Sequence, residues 1–162
     1  MITSNRFRAL LVALALAAIP TAAHAQGAPT DSPQSRKIVA LVEKAARLVE
    51  AQGKAAFDEF RKRGSEWFEG QTYLFSYDAK GNVLLNPAFP KREGTNVSGQ
   101  TDASGKKFHD VMLETARTKG SGWVDYMFPK PGQTTPSHKW SYVKRVTIDG
   151  VPALLGAGFY PD

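Results

Sequence analysis

Aromatic rings and a few ammonium groups share the later part of this chain. Tyr73, Phe75 and Tyr77 alternate in one segment, Trp123, Tyr126 and Phe128 sit in a second, and Lys139, Trp140 and Tyr142 in a third, with Lys130 and Lys144 nearby. Rings exclude water, tyrosine hydroxyls orient a polar group, and a desolvated ammonium pairs strongly with a carboxylate. Together they suit a small, mostly apolar pocket for a small organic anion.

Other chemistry is less well furnished. Ser137 and His138 are adjacent, but neighbours in a strand point to opposite faces, and no G-x-S-x-G elbow is present. His109, beside Asp110 in a helical segment, is expected to face solvent, and a lone ring lacks the ligand cluster that a metal needs. No glycine-rich loop has phosphate-cradle spacing. Asp78, Asp102 and Asp149 fall in turns, which accounts for each of them. The 162 residues include no cysteine, which removes disulfides, thiolate metal sites and cysteine nucleophiles. No enzyme activity, cofactor or metal centre is expected.

The elements that must position these rings begin after a leader. Arg6 and Arg8 precede an apolar run from Ala9 to Ile19, followed by Pro20 and the small-residue site Ala23-His24-Ala25. This pattern predicts a signal peptide over 1–25, too short in its apolar core to anchor in a bilayer, and therefore a periplasmic product with no membrane span. Loss of the two arginines lowers the formal charge from +6 to +4. The Arg61-Lys62-Arg63 run is flanked by Asp58, Glu59, Glu66 and Glu69, a solvated surface rather than a nucleic-acid face.

Gly27, Pro29, Asp31 and Pro33 make 26–34 a flexible tail, leaving 35–162 as one domain. Ile38, Leu41, Val42, Ala45, Leu48 and Val49 recur at three- and four-residue steps, one face of an amphipathic helix from Ser35 to Arg63. Ser32 or Ser35 can cap it, and Gly53 falls inside it, so a bend there or two tandem helices is the alternative to one rod. Thr72 to Tyr77, a turn at Asp78-Ala79-Lys80-Gly81 and Asn82 to Asn86 spell a hairpin. A long loop over Pro87 to Ser104 leads to a second helix, Gly105 to Lys119, with Phe108, Met112 or Val111, and Thr115 or Ala116 on one face. Strands at Gly122–Phe128, Ser137–Thr147 and Val151–Tyr160 follow, the last two joined by Asp149-Gly150. The layout is α+β, a long N-terminal helix packed on a five-stranded antiparallel sheet with a second short helix.

Tyr73-Leu74-Phe75-Ser76-Tyr77-Asp78, Asn86-Pro87, Gly120-Ser121-Gly122-Trp123-Val124-Asp125-Tyr126, Lys139 with Ser141-Tyr142-Val143, and Gly156-Ala157-Gly158-Phe159-Tyr160, in this order from about Arg36 to Tyr160, resemble the single Cache domain. The resemblance implies a PAS-like extracytoplasmic sensor that binds small molecules, often short-chain carboxylates. It carries ligand binding onto Tyr126 and Lys139, with Tyr73, Phe75, Trp123 and Tyr142 as pocket walls. Strand parity opposes Trp123 to Tyr126 and Lys139 to Tyr142 unless a bulge re-aims them. Receptors of this family have a second membrane span after the last strand, and this chain ends at Asp162 without one. The expectation is a free periplasmic ligand-binding module. The alternative makes the long helix a docking surface for a membrane receptor or a second copy.

Overall fold

The computed structural model describes Pro29 and residues 31–161, so the expected leader and the start of the tail lie outside the described residues. Helix α1 spans Pro33–Gln52. Ser32 caps it by accepting from the Ser35 backbone N–H, and the Ser35 hydroxyl returns the bond, a reciprocal box that satisfies two of the orphan donors at a helix start. Pro33 and Gln34, expected in the tail, belong to this first turn, where proline's missing N–H costs nothing.

The helix does not run through Gly53. That residue takes φ 61°, ψ −146°, a conformation open only to glycine, and the chain restarts as a short 3-10 turn over Gly53–Ala56 and helix α2 over Phe57–Phe60. The carboxylate of Asp149 fills the space where a Gly53 side chain would stand, and it accepts weakly from the Lys54 N–H at 3.4 Å. Of the alternatives left open by the sequence, the single rod is not formed: α1 ends at Gln52 and α2 follows it in tandem through the 3-10 turn.

Among the described residues six strands form one antiparallel sheet. β1 (Phe68–Glu69) and β3 (Val83–Leu85) both pair along one edge of β2 (Thr72–Asp78), and across the sheet the order continues as β6 (Val151–Phe159), β5 (Pro136–Ile148) and β4 (Ser121–Pro129). The five expected strands are present. The sixth, β1, is a two-residue pairing of Phe68 with Tyr73 and Glu69 with Thr72, too short to leave an alternation pattern. The Asp149-Gly150 turn has both residues at positive φ, 51° and 76°, the geometry that closes a two-residue hairpin.

Alternation divides the sheet's side chains between two cores. Leu74, Trp140, Val146, Ile148, Leu155 and Phe159 meet Ile38, Val42, Ala45 and Val49 of α1. Tyr73, Phe75, Tyr77, Val124, Tyr126, Phe128 and Val143 turn the other way, onto Phe108, Met112 and Ala116 of α3 (Phe108–Lys119) and Val97 of the long loop. The sheet is thus covered on both faces, by the N-terminal helix on one and by α3 with its preceding loop on the other. Lys144, on the α1 side, pairs with Glu43 at 3.1 Å across that layer.

Candidate functional site

The α3 side of the sheet holds the polar groups that burial makes conspicuous. Lys139 on β5 is 1% exposed. Its Nζ donates to Tyr73 Oη at 3.0 Å and lies 4.1 Å from the Tyr73 ring centre, 5.2 Å from Tyr160, 5.6 Å from Phe128 and 5.8 Å from Phe75. Among the described residues no carboxylate pairs with it. Burial alone pushes its pKa down to about 7, so its charge is only partly kept at neutral pH. Ring faces attract a cation, and an ammonium held by rings and one phenol is left able to donate further.

Around Lys139 the polar atoms are arranged by strand pairing. Tyr126 on β4 lies opposite Lys139 in the register, and its hydroxyl shares a 2.9 Å hydrogen bond with Ser141, two residues along β5 on the same face. Tyr160 donates to the Pro129 carbonyl at 2.6 Å. Desolvation holds the Tyr73, Tyr77 and Tyr126 hydroxyls protonated well past their ordinary range, so all three stay neutral at physiological pH. The Gly156-Ala157-Gly158 string has a physical reason here. A Cβ on Gly156 would come within 2.6 Å of the Phe75 ring, and one on Gly158 would strike Ser141 and the Trp140 carbonyl. Both glycines keep β6 bare on this face, which is where Phe75 and Ser141 fit.

Of the six residues read from the sequence, the structure brings four together: Tyr73, Phe75, Tyr126 and Lys139. Trp123 and Tyr142 are not with them. β4 and β5 run without a bulge through this stretch, so parity sends both to the α1 face, where their rings meet at 5.5 Å and Trp123 also packs on Phe159 at 5.9 Å. In place of those two, the cluster contains Phe128, Tyr160 and Ser141.

His109 corrects a second expectation. It is 1% exposed, not solvent-facing, because α3 starts at Phe108 and turns its first residues inward. Its ring lies 5.4 Å from Tyr77 and 3.7 Å from Phe108, which in turn stacks on Tyr126 at 4.2 Å. Arg92, at the end of a 3-10 turn in the long loop (Pro90–Arg92), brings Nη2 to 3.4 Å from His109 Nε2 and its guanidinium to 5.5 Å from the Phe128 ring. Arg92, His109, Phe108 and Phe128 line an opening of about 180 Å³ between the long loop and β4. Helical spacing contained the signal for His109, since it precedes Met112 by three residues and so shares that residue's face. Arg92 had none, because a loop has no period.

An antiparallel sheet with a helix across one face and a second helix with a covering loop on the other is the architecture the chain shares with extracytoplasmic sensor domains. The chain belongs to the Cache domain family, whose model matches residues 39–162. It is similar to the methyl-accepting chemotaxis protein McpP of Pseudomonas putida, 30% identical over 95 residues that cover 59% of this chain and 17% of that receptor. Among solved structures it resembles the periplasmic sensor domain of a chemotaxis protein, at 33% identity and TM-score 0.69, covering 80% of this chain and 95% of that one. It also resembles a Cache chemosensory domain solved as the structural basis for carboxylic acid recognition, at 28% identity and TM-score 0.66, covering 79% of this chain and 93% of that one. Among the described residues no helix is long and apolar enough to cross a membrane.

Proposed function

We propose that this chain is a periplasmic binding domain for a short-chain carboxylate, held against Lys139 and Tyr73 with Tyr126 and Phe75 as walls. The observation that carries this reading is an ammonium buried among rings with no carboxylate paired to it among the described residues. An ion removed from water calls for a counter-charge, and a ligand carboxylate supplies one through a charge-assisted hydrogen bond. The solved neighbour that recognises carboxylic acids supports the ligand class, and the leader read over residues 1–25 supports export. Mass spectrometry of protein recovered from a periplasmic fraction, expected to begin at Gln26, tests the latter.

The ligand is tested by thermal unfolding with acetate, propionate, pyruvate and lactate. A ligand at 100 times its dissociation constant adds about 2.7 kcal/mol of stability, and Lys139→Met abolishes the gain. No stabilisation by any of the four removes the reading. The alternative of a docking helix has less support. On the outer side of α1, Lys37 pairs with Glu69 and Lys44 with Glu66, so these charges are already engaged within the chain.

A further inference from the structure

Lys139 is 1% exposed, so nothing reaches its ammonium unless part of the surrounding cage moves. The strands that carry the cage are locked by their ladders, but residues 87–93 are held differently. The ends of this segment are pinned to β3, where the Gly94 N–H donates to the Val83 carbonyl and the Val83 N–H to the Thr95 carbonyl, both at 2.9 Å. Between the pins its backbone hydrogen bonds stay inside the segment and its flanks. The Phe89 N–H donates to the Asn86 carbonyl, the Arg92 N–H to that of Phe89 and the Glu93 N–H to that of Pro90. Pro87 and Pro90 have no N–H to offer. A loop whose ends are close and whose bonds are internal is of the Ω type, and it can lift as one piece without breaking a ladder.

Side chains tie this loop to the body of the domain. Phe89, half-buried, sets its ring 6.3 Å from Tyr73 and 5.2 Å from Phe128, two of the rings that surround the Lys139 ammonium. Glu93 accepts from two N–H groups of Arg61 at 2.6 Å and 2.8 Å, the one ion pair between this segment and the rest of the described residues. The same carboxylate accepts the Asn86 N–H at 2.8 Å, so it both closes the neck of the loop and fastens it to the helical arm. Gly94, at φ 77° with open space where a side chain would stand, supplies a pivot. We propose that residues 87–93 form a lid over Lys139, with Phe89 as its plug and the Arg61–Glu93 pair as its latch. Arg61 ends the arm that follows Gly53, so the latch makes access to the site depend on the position of that arm. The purpose of the lid rests on the reading of Lys139 as the binding group, but its opening is measurable with no ligand present.

The test is timed acetylation of the full chain with acetic anhydride, read at each lysine by peptide mass spectrometry. In wild type Lys139 is expected to label far more slowly than the exposed Lys119. Arg61→Gln and Phe89→Ala should each raise the Lys139 rate about fivefold or more, with Lys119 unchanged. Phe89→Leu, which keeps an apolar plug, should fall between wild type and Phe89→Ala and serves if the latter does not fold. Val42→Ala, in the core on the α1 face, lowers global stability without touching the loop and reports labelling through whole-chain unfolding. A Lys139 rate unchanged in both lid variants, or raised no more than in Val42→Ala at equal stability loss, overturns the lid and leaves the carboxylate reading standing. Faster labelling in the lid variants, with no carboxylate stabilising the wild type, supports the lid and removes that reading.

Discussion

Lys139 and Tyr73, 66 positions apart, meet with the ammonium donating to the phenol at 3.0 Å inside a cage of rings. The contact joins β5 to β2, each second from an edge of the sheet, across β6, and burial among these rings lowers the lysine's pKa.

Stability should depend on pH through this lysine. Its folded pKa of about 7 lies below its ordinary 10.5, so the unfolded chain binds the extra proton between those values, and folding gains stability as pH rises through that window. Below about 7 both states are protonated and the desolvation cost is present in full. Urea unfolding from pH 6 to 9.5 is expected to show a rise of a few kcal/mol in wild type, absent in Lys139→Met. A flat wild-type profile would mean that the ammonium is not buried as described.

Ligand binding should take up a proton above neutral pH. With Lys139 largely neutral at pH 8 in the empty protein, a bound carboxylate restores the ammonium, and affinity falls by up to about tenfold per pH unit once the pH exceeds the lysine's value. Calorimetry in two buffers of different ionisation enthalpy measures the uptake. A heat independent of buffer places the carboxylate away from Lys139.

Gly53 should tolerate no side chain. Gly53→Ala forces a backbone conformation that only glycine adopts and drives a methyl group into Asp149, for a combined cost of about 3 kcal/mol. Asp149→Gly removes the clash but not the backbone cost, so the double variant should recover only part of the loss. Chemical denaturation of the three variants measures the split, and a neutral Gly53→Ala would contradict the described helix break at Gly53.

Glu93 ties the end of the helical arm to the loop that carries Arg92. Its carboxylate accepts both Arg61 guanidinium N–H groups at 2.6 Å and 2.8 Å and the Asn86 backbone N–H at 2.8 Å. Burial pushes the carboxyl pKa up, but these bonds outweigh it and hold it below the ordinary value, so the stability it contributes is lost as pH falls through that lowered pKa. Glu93→Ala leaves the Asn86 N–H unpaired and should cost about 1 to 3 kcal/mol at neutral pH, with a smaller difference from wild type in acid. Equal losses at both pH values would assign the effect to packing.

The fold was legible because its signals are local. Alternation at Thr72–Asp78, the Asp149-Gly150 turn and the three- and four-residue steps after Ile38 each specify an element without help from the rest of the chain. The site was half legible. Parity already opposed Trp123 to Tyr126 and Lys139 to Tyr142, and with no bulge in β4 or β5 that rule decides the matter. The sequence of α3 allows either Met112 or Val111 on its buried face, which hides the placement of His109; Val111 is 40% exposed, so Met112 and its face-mate His109 go inward. Arg92 sits in a loop whose path is set by distant contacts, Arg61 with Glu93 among them, which no window of sequence contains.

β6 lies between β2 and β5 in the sheet, although it is the last strand of the chain. Its pairings reach back from Ala157 to Leu74 and from Phe159 to Trp140. A chain emerging from its N-terminus can form α1, the β2–β3 hairpin and the β4–β5 ribbon early, yet these remain separate pieces with open edges until Val151–Phe159 arrives. Non-local closure of this kind is slow relative to hairpin formation. The order of synthesis therefore keeps the lysine cage unassembled until Val151–Phe159 and Tyr160 have been made.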